Sequence, residues 1–326
     1  MEKSEIKGFI AKRCAKELKD GDVVNLGIGL PTLIPHYLPE GVELIIHAEL
    51  GIVSAGKAPK EGDENYDPYH VVDAGGSPAS VAYGGGFIDS ASNFGLIRGG
   101  HVDACFLGAL EVDAEGNLAN WIIPGKKMPG MGGAMDLCVG AKHCIVCMEH
   151  TAKGNPKIFE KCRLTLLAND MGRATGPMGE EFFGIAELIH NHQVKRVIAT
   201  HVGMTPEVGQ QNTEGTLEVN LLPQGTLAEC IRAGGAGLGG VLTPVGIDTL
   251  VEESPFCLGR HTVDGKDYLL MKPIHADFAL LGAYKCDEYG NCWYKGTMRN
   301  FNVVMATAAD TVIAECEYIV PVGDIE

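Results

Sequence analysis

Apolar positions recur along the chain in short blocks parted by Gly- and Pro-rich segments, the pattern of an α/β protein. Between residues 5 and 19, Ile6, Phe9, Ile10, Cys14 and Leu18 fall at helical spacing, and Asp20-Gly21-Asp22 stops the predicted helix. Val23 to Leu26 reads as a short strand that runs into Gly27-Ile28-Gly29-Leu30-Pro31. The run from Val42 to Ala48 then ends in Glu49, with Gly51 two residues on. Val42 to Ile46 suits a buried parallel strand, and Gly51 opens the loop after it. Apolar blocks at 70–73, 102–107 and 143–148 predict further strands, and Asp113–Asn117 a hairpin turn. In the second half, a strand at 216–222 leads through Pro223-Gln224-Gly225 into a helix capped by Thr226. Ala233 to Gly240 is a loop of very small side chains, suited either to a long narrow ligand or to tight packing.

An internal repeat organises these elements. The stretch His101–Asn117 returns as His275–Asn291, an offset of 174 residues, with Gly108-Ala109 answered by Gly282-Ala283 and Gly116-Asn117 by Gly290-Asn291. The same offset sets Met131, Ala134 and Asp136 against Met305, Ala308 and Asp310. A weaker echo sets Leu44–Glu49 against Leu164–Asn169. The expectation is an α/β protein of two related, open, mostly parallel units, residues 1–163 and 164–326, with the active site where they meet. In open α/β sheets ligands bind outside the carboxyl ends of the strands, and Glu49 holds such a position. Asn169 takes its place in the second unit, so one half reads as reactive and the other as supporting.

Composition narrows the partners. Over 326 residues, 45% apolar and 21% charged content is ordinary for a globular protein, but 44 glycines are roughly twice average usage. The net charge of −16 offers no basic stripe for nucleic acid. No run of about 18 apolar residues predicts a membrane span, and the start Met1–Glu5 lacks the apolar core of a signal peptide. A cytoplasmic protein follows, whose eleven cysteines count as reduced thiols.

Several stretches leave their chemistry open. Gly27-Ile28-Gly29 is half a dinucleotide fingerprint without its third glycine, and a tight turn or a helix start facing an anion fits as well. Pro129–Asp136, which holds Gly130, Gly132 and Gly133, either packs backbone on backbone or points amides at developing negative charge. Cys144-Ile145-Val146-Cys147 has Cys-x-x-Cys spacing, but Ile and Val fit a strand interior and no second ligand pair stands by, so no metal site is read. Gln224 is either a local hydrogen-bonder or a side chain aimed into a cleft. Lys57, Lys60, Arg98, Lys126 and Lys127 are the cations available to an anionic ligand. Glu49 alone is a solvated strand-end carboxylate or a functional one.

Taken together, the pieces resemble the family I coenzyme A transferases of the acetate/butyrate–acetoacetate and 3-oxoacid group. The first half resembles the front of the family's β subunit, through Asn25–Pro31, the strand ending in Glu49, Ile97–Asp103 and Gly130–Asp136. The second half resembles the rear of the α subunit, through Pro223–Glu229, Arg232–Gly237 and Arg299–Asn302. The family's Ser-Glu-Asn-Gly signature reads Ala48-Glu49-Leu50-Gly51, and near Arg163 the chain passes directly from β-like to α-like sequence. The resemblance implies a CoA-transferase in which Glu49 is the nucleophile and Asn25, Gly132, Gln224 and Asn169 bind substrate or its oxyanion. Gly130, Gly133, Lys57 and Arg98 would bind CoA. Coenzyme A would be a substrate, with no metal or redox cofactor. The partners implied are an acyl-CoA, a small carboxylic acid, and further copies or a complementary subunit. An acyl-CoA hydrolase, a non-catalytic CoA-binding subunit and a sugar-phosphate isomerase are the competing readings.

Overall fold

A computed structural model of the protein describes residues 3–119, 130–152, 155–159, 173–175, 179 and 181–325. Its first part runs α1 (Lys3–Cys14), β1 (Val23–Leu26), β2 (Ile45–Ala48), β3 (Ile52–Ala55), β4 (Val81–Phe87) and α2 (Ser90–Arg98). Next come β5 (Ala104–Leu107), β6 (Glu111–Asp113), β7 (Leu118–Ala119), α3 (Ala134–Gly140) and β8 (His143–Val146). The chain forms two compact units built from alternating stretches, 1–45, 97–224 and 244–255 in the first, 46–96, 225–243 and 256–326 in the second. The expected division at 163/164 lies outside the described residues, as do Asn169, Lys126, Lys127 and the echo at 164–169.

The first unit carries the parallel character that the apolar runs predict. β1 pairs with β5 (Val24↔Ala104) and β5 with β8 (Ala104↔His143), both in parallel. All four residues of β5 are buried, as a parallel strand covered on both faces requires. A second parallel pair, Arg196–Ala199 with Glu218–Leu221, lies over a core of Ile189, Val197, Val202, Val208 and Leu217. In α1 the buried face is Ala11 and Cys14, continued by Ala15 and Leu18 beyond the helix. Phe9, expected in that stripe, is 64% exposed.

The second unit is largely antiparallel, so the sheets are mixed. β2 pairs antiparallel with β3, and β3 with β4. Val241–Thr243 and Cys257–Val263 both pair antiparallel with Lys266–Met271. The long strands Ala276–Asp287 and Ala309–Val320 are its parallel pair. Two expectations need correction here. The strand before Glu49 occupies 45–48, not 42–46, and Gly51 lets the chain reverse at once into β3. Residues 70–73 form no strand, only an isolated bridge from Val72 to Pro78.

The repeat is visible in atomic detail at its turn. Asp113 Oδ1 accepts the amides of Glu115 (3.1 Å) and Asn117 (2.9 Å), and Oδ2 accepts Asn117 Nδ2 (3.1 Å). Asp287 repeats this with Tyr289 (3.0 Å), Asn291 (3.0 Å) and Asn291 Nδ2 (2.8 Å). Gly116 and Gly290 hold φ of +86° and +82°, which glycine adopts without strain. Downstream the match shifts. Phe278, the counterpart of Ala104, pairs with Thr311, which stands 168 residues after His143 (311 − 143). The second copy therefore reaches its strand six residues sooner (174 − 168), and the alignment of Met131 with Met305 fails. Met305 ends the helix Arg299–Met305, whereas Met131 precedes α3.

Candidate active site

Glu49, Leu50 and Gly51 form the turn of the β2–β3 hairpin, whose last cross-strand pair is Ala48↔Ile52. Gly51 has φ of +99°, and a Cβ there would sit 2.1 Å from the Ile88 carbonyl oxygen. Its amide donates to Ala48 O (3.0 Å) and its carbonyl accepts from the Ile88 amide (2.8 Å). On the other side Asn93, fully buried in α2, donates from Nδ2 to the carbonyls of Glu49 (2.7 Å) and Ala48 (3.3 Å). The backbone under Glu49 is thus fixed from both flanks while its side chain is half-buried. Gly51→Ala adds both a disfavoured φ and a clash with backbone. It is expected to cost about 1–3 kcal/mol and to lower the melting temperature, read by circular dichroism.

His47, two residues before Glu49, is 2% exposed. Burial pushes its pKa down, and a side-chain bond to Asn93 offsets part of this. The unfolded chain therefore binds a proton that the folded one resists. Stability from this group is complete above the usual value of about 6.5 and falls as pH drops below it. Denaturant titrations between pH 7.5 and pH 5.5 should show that loss, and His47→Gln should flatten it.

In the first unit Asn25 sits on β1 beside Cys105, 4% exposed. Gly27 donates to Phe106 O (2.8 Å), and a Cβ would lie 2.9 Å from that oxygen. Gly29, at φ +91°, opens the 3₁₀ helix Leu30–Tyr37. The half-fingerprint is thus a turn pressed against a neighbouring strand. The run around Gly132 likewise packs backbone on backbone. Gly130 bridges to His201, and the amides of Met131 (3.3 Å) and Gly132 (3.2 Å) donate to Thr200 O. Gly132 N–H is therefore engaged and would have to leave Thr200 to serve an oxyanion. Gly133 precedes α3 and accepts from the Leu137 amide (2.9 Å).

Gln224 begins the helix Gln224–Gly235 just beyond the carboxyl end of the strand Glu218–Leu221. It is fully buried, and neither its Nε2 nor its Oε1 makes a hydrogen bond among the described residues. No local hydrogen bond among them satisfies it. Thr226 lies inside this helix, not at its cap, and its Oγ1 is also unbonded. The glycines that follow are mostly packing residues. A Cβ at Gly234 would lie 1.9 Å from Ile274 O, and one at Gly235 2.3 Å from Thr307 Oγ1.

The cations separate into two kinds. Arg98 Nη1 pairs with Asp136 Oδ1 at 3.1 Å, and Asp136 is fully buried. Arg98, expected to bind CoA, thus neutralises an interior carboxylate with at least one of its donors. Lys57 and Lys60 are exposed. Among the described residues no group of three or more His, Cys, Asp or Glu side chains is placed to hold a metal ion. Cys144 and Cys147 turn to different partners, Cys144 to Cys138 and Cys147 to Cys14, so they do not act as one Cys-x-x-Cys pair.

Sequence reasoning missed Asn93 and Ser90. Ser90 Oγ donates to Asn300 Oδ1, which ties the start of α2 to the Arg299–Asn302 motif within the second unit. The available signal was a Ser and an Asn three residues apart in a helix that buries both.

The model of the coenzyme A transferase family matches the chain twice, at residues 9–176 and 174–326. The chain belongs to the coenzyme A transferase family. The beta subunit of acetate CoA-transferase from Escherichia coli (strain K12) is 50% identical over 165 residues, 50% of this chain and 74% of that protein. The alpha subunit from the same strain is 46% identical over 163 residues, 50% of this chain and 70% of that protein. The beta subunit of acetate CoA-transferase from Haemophilus influenzae is 54% identical over 165 residues, 50% of this chain and 72% of that protein. Among solved structures, an acyl-CoA transferase from Escherichia coli O157:H7 in a thioester complex with CoA aligns with a TM-score of 0.41 at 24% identity. That alignment covers 44% of this chain and 31% of the other. This coenzyme A transferase family member therefore matches both subunit types in one polypeptide. No helix among its described residues is long and apolar enough to cross a membrane.

Proposed function

We propose that this chain transfers CoA between a short-chain acyl-CoA and a free carboxylic acid, with Glu49 as the covalent carrier. The supporting observation is a half-buried carboxylate on a turn that Gly51 and Asn93 hold rigid. A carboxylate is a weak nucleophile, and partial desolvation in a fixed position supplies what it lacks. Glu49 attacks the thioester carbonyl, the C–S bond breaks, and an acyl–glutamyl anhydride and CoA thiolate form. The thiolate attacks the glutamyl carbonyl, giving a glutamyl–CoA thioester and releasing the first acid. An incoming carboxylate reverses both steps, so no external energy source, metal or redox cofactor enters.

Substrate-binding roles for Asn25 and Gln224 belong to the same proposal. One oxyanion donor is worth about 3–4 kcal/mol, and the unspent amide of Gln224 is suited to that role. Acetate, butyrate or acetoacetate as acids, pairing with a complementary subunit or with further copies, and a cytoplasmic setting complete the reading. The test is to incubate the protein with butyryl-CoA alone and weigh it intact. A CoA adduct that maps to Glu49 and is discharged by added acetate is expected. No adduct, or CoA released at the same rate without an acceptor, overturns the proposal, the second outcome in favour of hydrolysis.

A further inference from the structure

Several cysteine sulfurs lie close together among the described residues. Cys14 and Cys147 approach to 3.3 Å, but both are buried. Cys286 and Cys292 approach to 3.4 Å, with Cys286 buried. Cys138 and Cys144 approach to 3.6 Å, and both are exposed. Cys138 lies in the last turn of α3 and Cys144 in β8, so a short loop of Ala141 and Lys142 joins the two elements. We propose that Cys138 and Cys144 form a dithiol modification site that takes a two-electron oxidation from a hydroperoxide and closes to a disulfide.

Three features single out this pair. A thiol must reach solvent to meet the oxidant, and only here do both partners do so. The sulfurs must then close from 3.6 Å to about 2.05 Å, a move that side-chain torsions can supply. One sulfur must also be the nucleophile. Side-chain interactions of Cys144 with Cys105 first and Cys138 second pull its pKa down. Cys138 is shifted up by the same bond to Cys144, so the two thiols divide into attacker and resolver.

The chemistry balances with the hydroperoxide alone. Cys144 thiolate attacks the peroxide oxygen and breaks the O–O bond, yielding a sulfenic acid and one molecule of alcohol or water. Cys138 then attacks the sulfenic sulfur, loses its proton and expels the hydroxyl as water. Two thiols give up two electrons and one peroxide bond is reduced. None of this draws on Glu49, so it stands apart from the transfer reaction.

Lys142 lies between the two cysteines, so trypsin places Cys138 and Cys144 on different peptides, and Cys147 accompanies Cys144. The full chain is treated with hydrogen peroxide, denatured, alkylated and digested. The expected product is a bridge between the peptide ending at Lys142 and the peptide beginning at His143, with a loss of two hydrogens from the intact protein. The bridge should persist in Cys147→Ser and vanish in Cys144→Ser. Separate alkylation of Cys138 and Cys144 in the oxidised wild type overturns the proposal, as does a bridge that survives Cys144→Ser or maps to Cys14–Cys147 or Cys286–Cys292. Fragmentation of the bridged wild-type peptides assigns the sulfur to Cys144, which supports the proposal, or to Cys147, which overturns it, so a misfolded serine variant does not decide the matter.

Discussion

Glu49→Gln abolishes the CoA adduct and lowers turnover by at least about a thousandfold, the loss expected when a covalent carrier is removed. The amide keeps the size and much of the hydrogen bonding of the carboxylate but cannot form the anhydride. Glu49→Asp is the finer probe. It keeps the chemistry and withdraws the carboxylate by one methylene on a turn that cannot follow, because the Ile88 amide and Asn93 Nδ2 fix the backbone. A displacement of about 1 Å costs roughly a hundredfold. The expected order is therefore wild type, then Asp, then Gln, with Asp still forming an adduct at a slower rate. Melting temperatures close to wild type should accompany both, because the turn is held by Gly51 and Asn93 and not by the acidic side chain. Equal activity in Gln and wild type would remove Glu49 from the reaction while leaving the family unchanged.

The fold was legible where one face or both had to be apolar. β1 falls on Val23–Leu26 as read, and β5 and β8 fall within their apolar runs. The hairpin turn at Asp113–Asn117 was legible because an aspartate that accepts two amides needs its glycine and asparagine at fixed offsets. Strand ends were not. The apolar run 42–48 does not state that its pairing begins only at Ile45, and nothing local states that Gly51 reverses the chain at once. The glycine runs were ambiguous for a similar reason. A glycine that faces a ligand and one that faces Phe106 O or Ile274 O have the same sequence. The repeat gave the turn faithfully but overran it, since six residues missing from a loop leave no mark on the matching strands. At the site, Glu49 and Gln224 were visible as polar residues at strand ends, whereas Asn93 was hidden in a helix whose buried face cannot be read without its partners.

The role of Arg98 supplies the sharpest contrast between the two levels. The family resemblance implied that it binds CoA, and a ligand role predicts a raised KM in a stable protein. The structure assigns it instead to Asp136, which is fully buried at the first turn of α3. Arg98→Ala takes the guanidinium away from a carboxylate that water does not reach, and breaking such a pair costs about 3–5 kcal/mol. That is a large share of the stability of an ordinary domain, so the variant should melt far below wild type and unfold at much lower urea. Arg98→Ala combined with Asp136→Asn should recover part of the loss, because the second change removes the charge that the first exposes. Rescue by the neutral partner is the diagnostic result, since no phosphate-binding role would produce it. If Arg98→Ala melts like wild type and only the KM for acyl-CoA rises, the guanidinium serves the ligand after all, and α3 is held in place by its apolar contacts through Leu137.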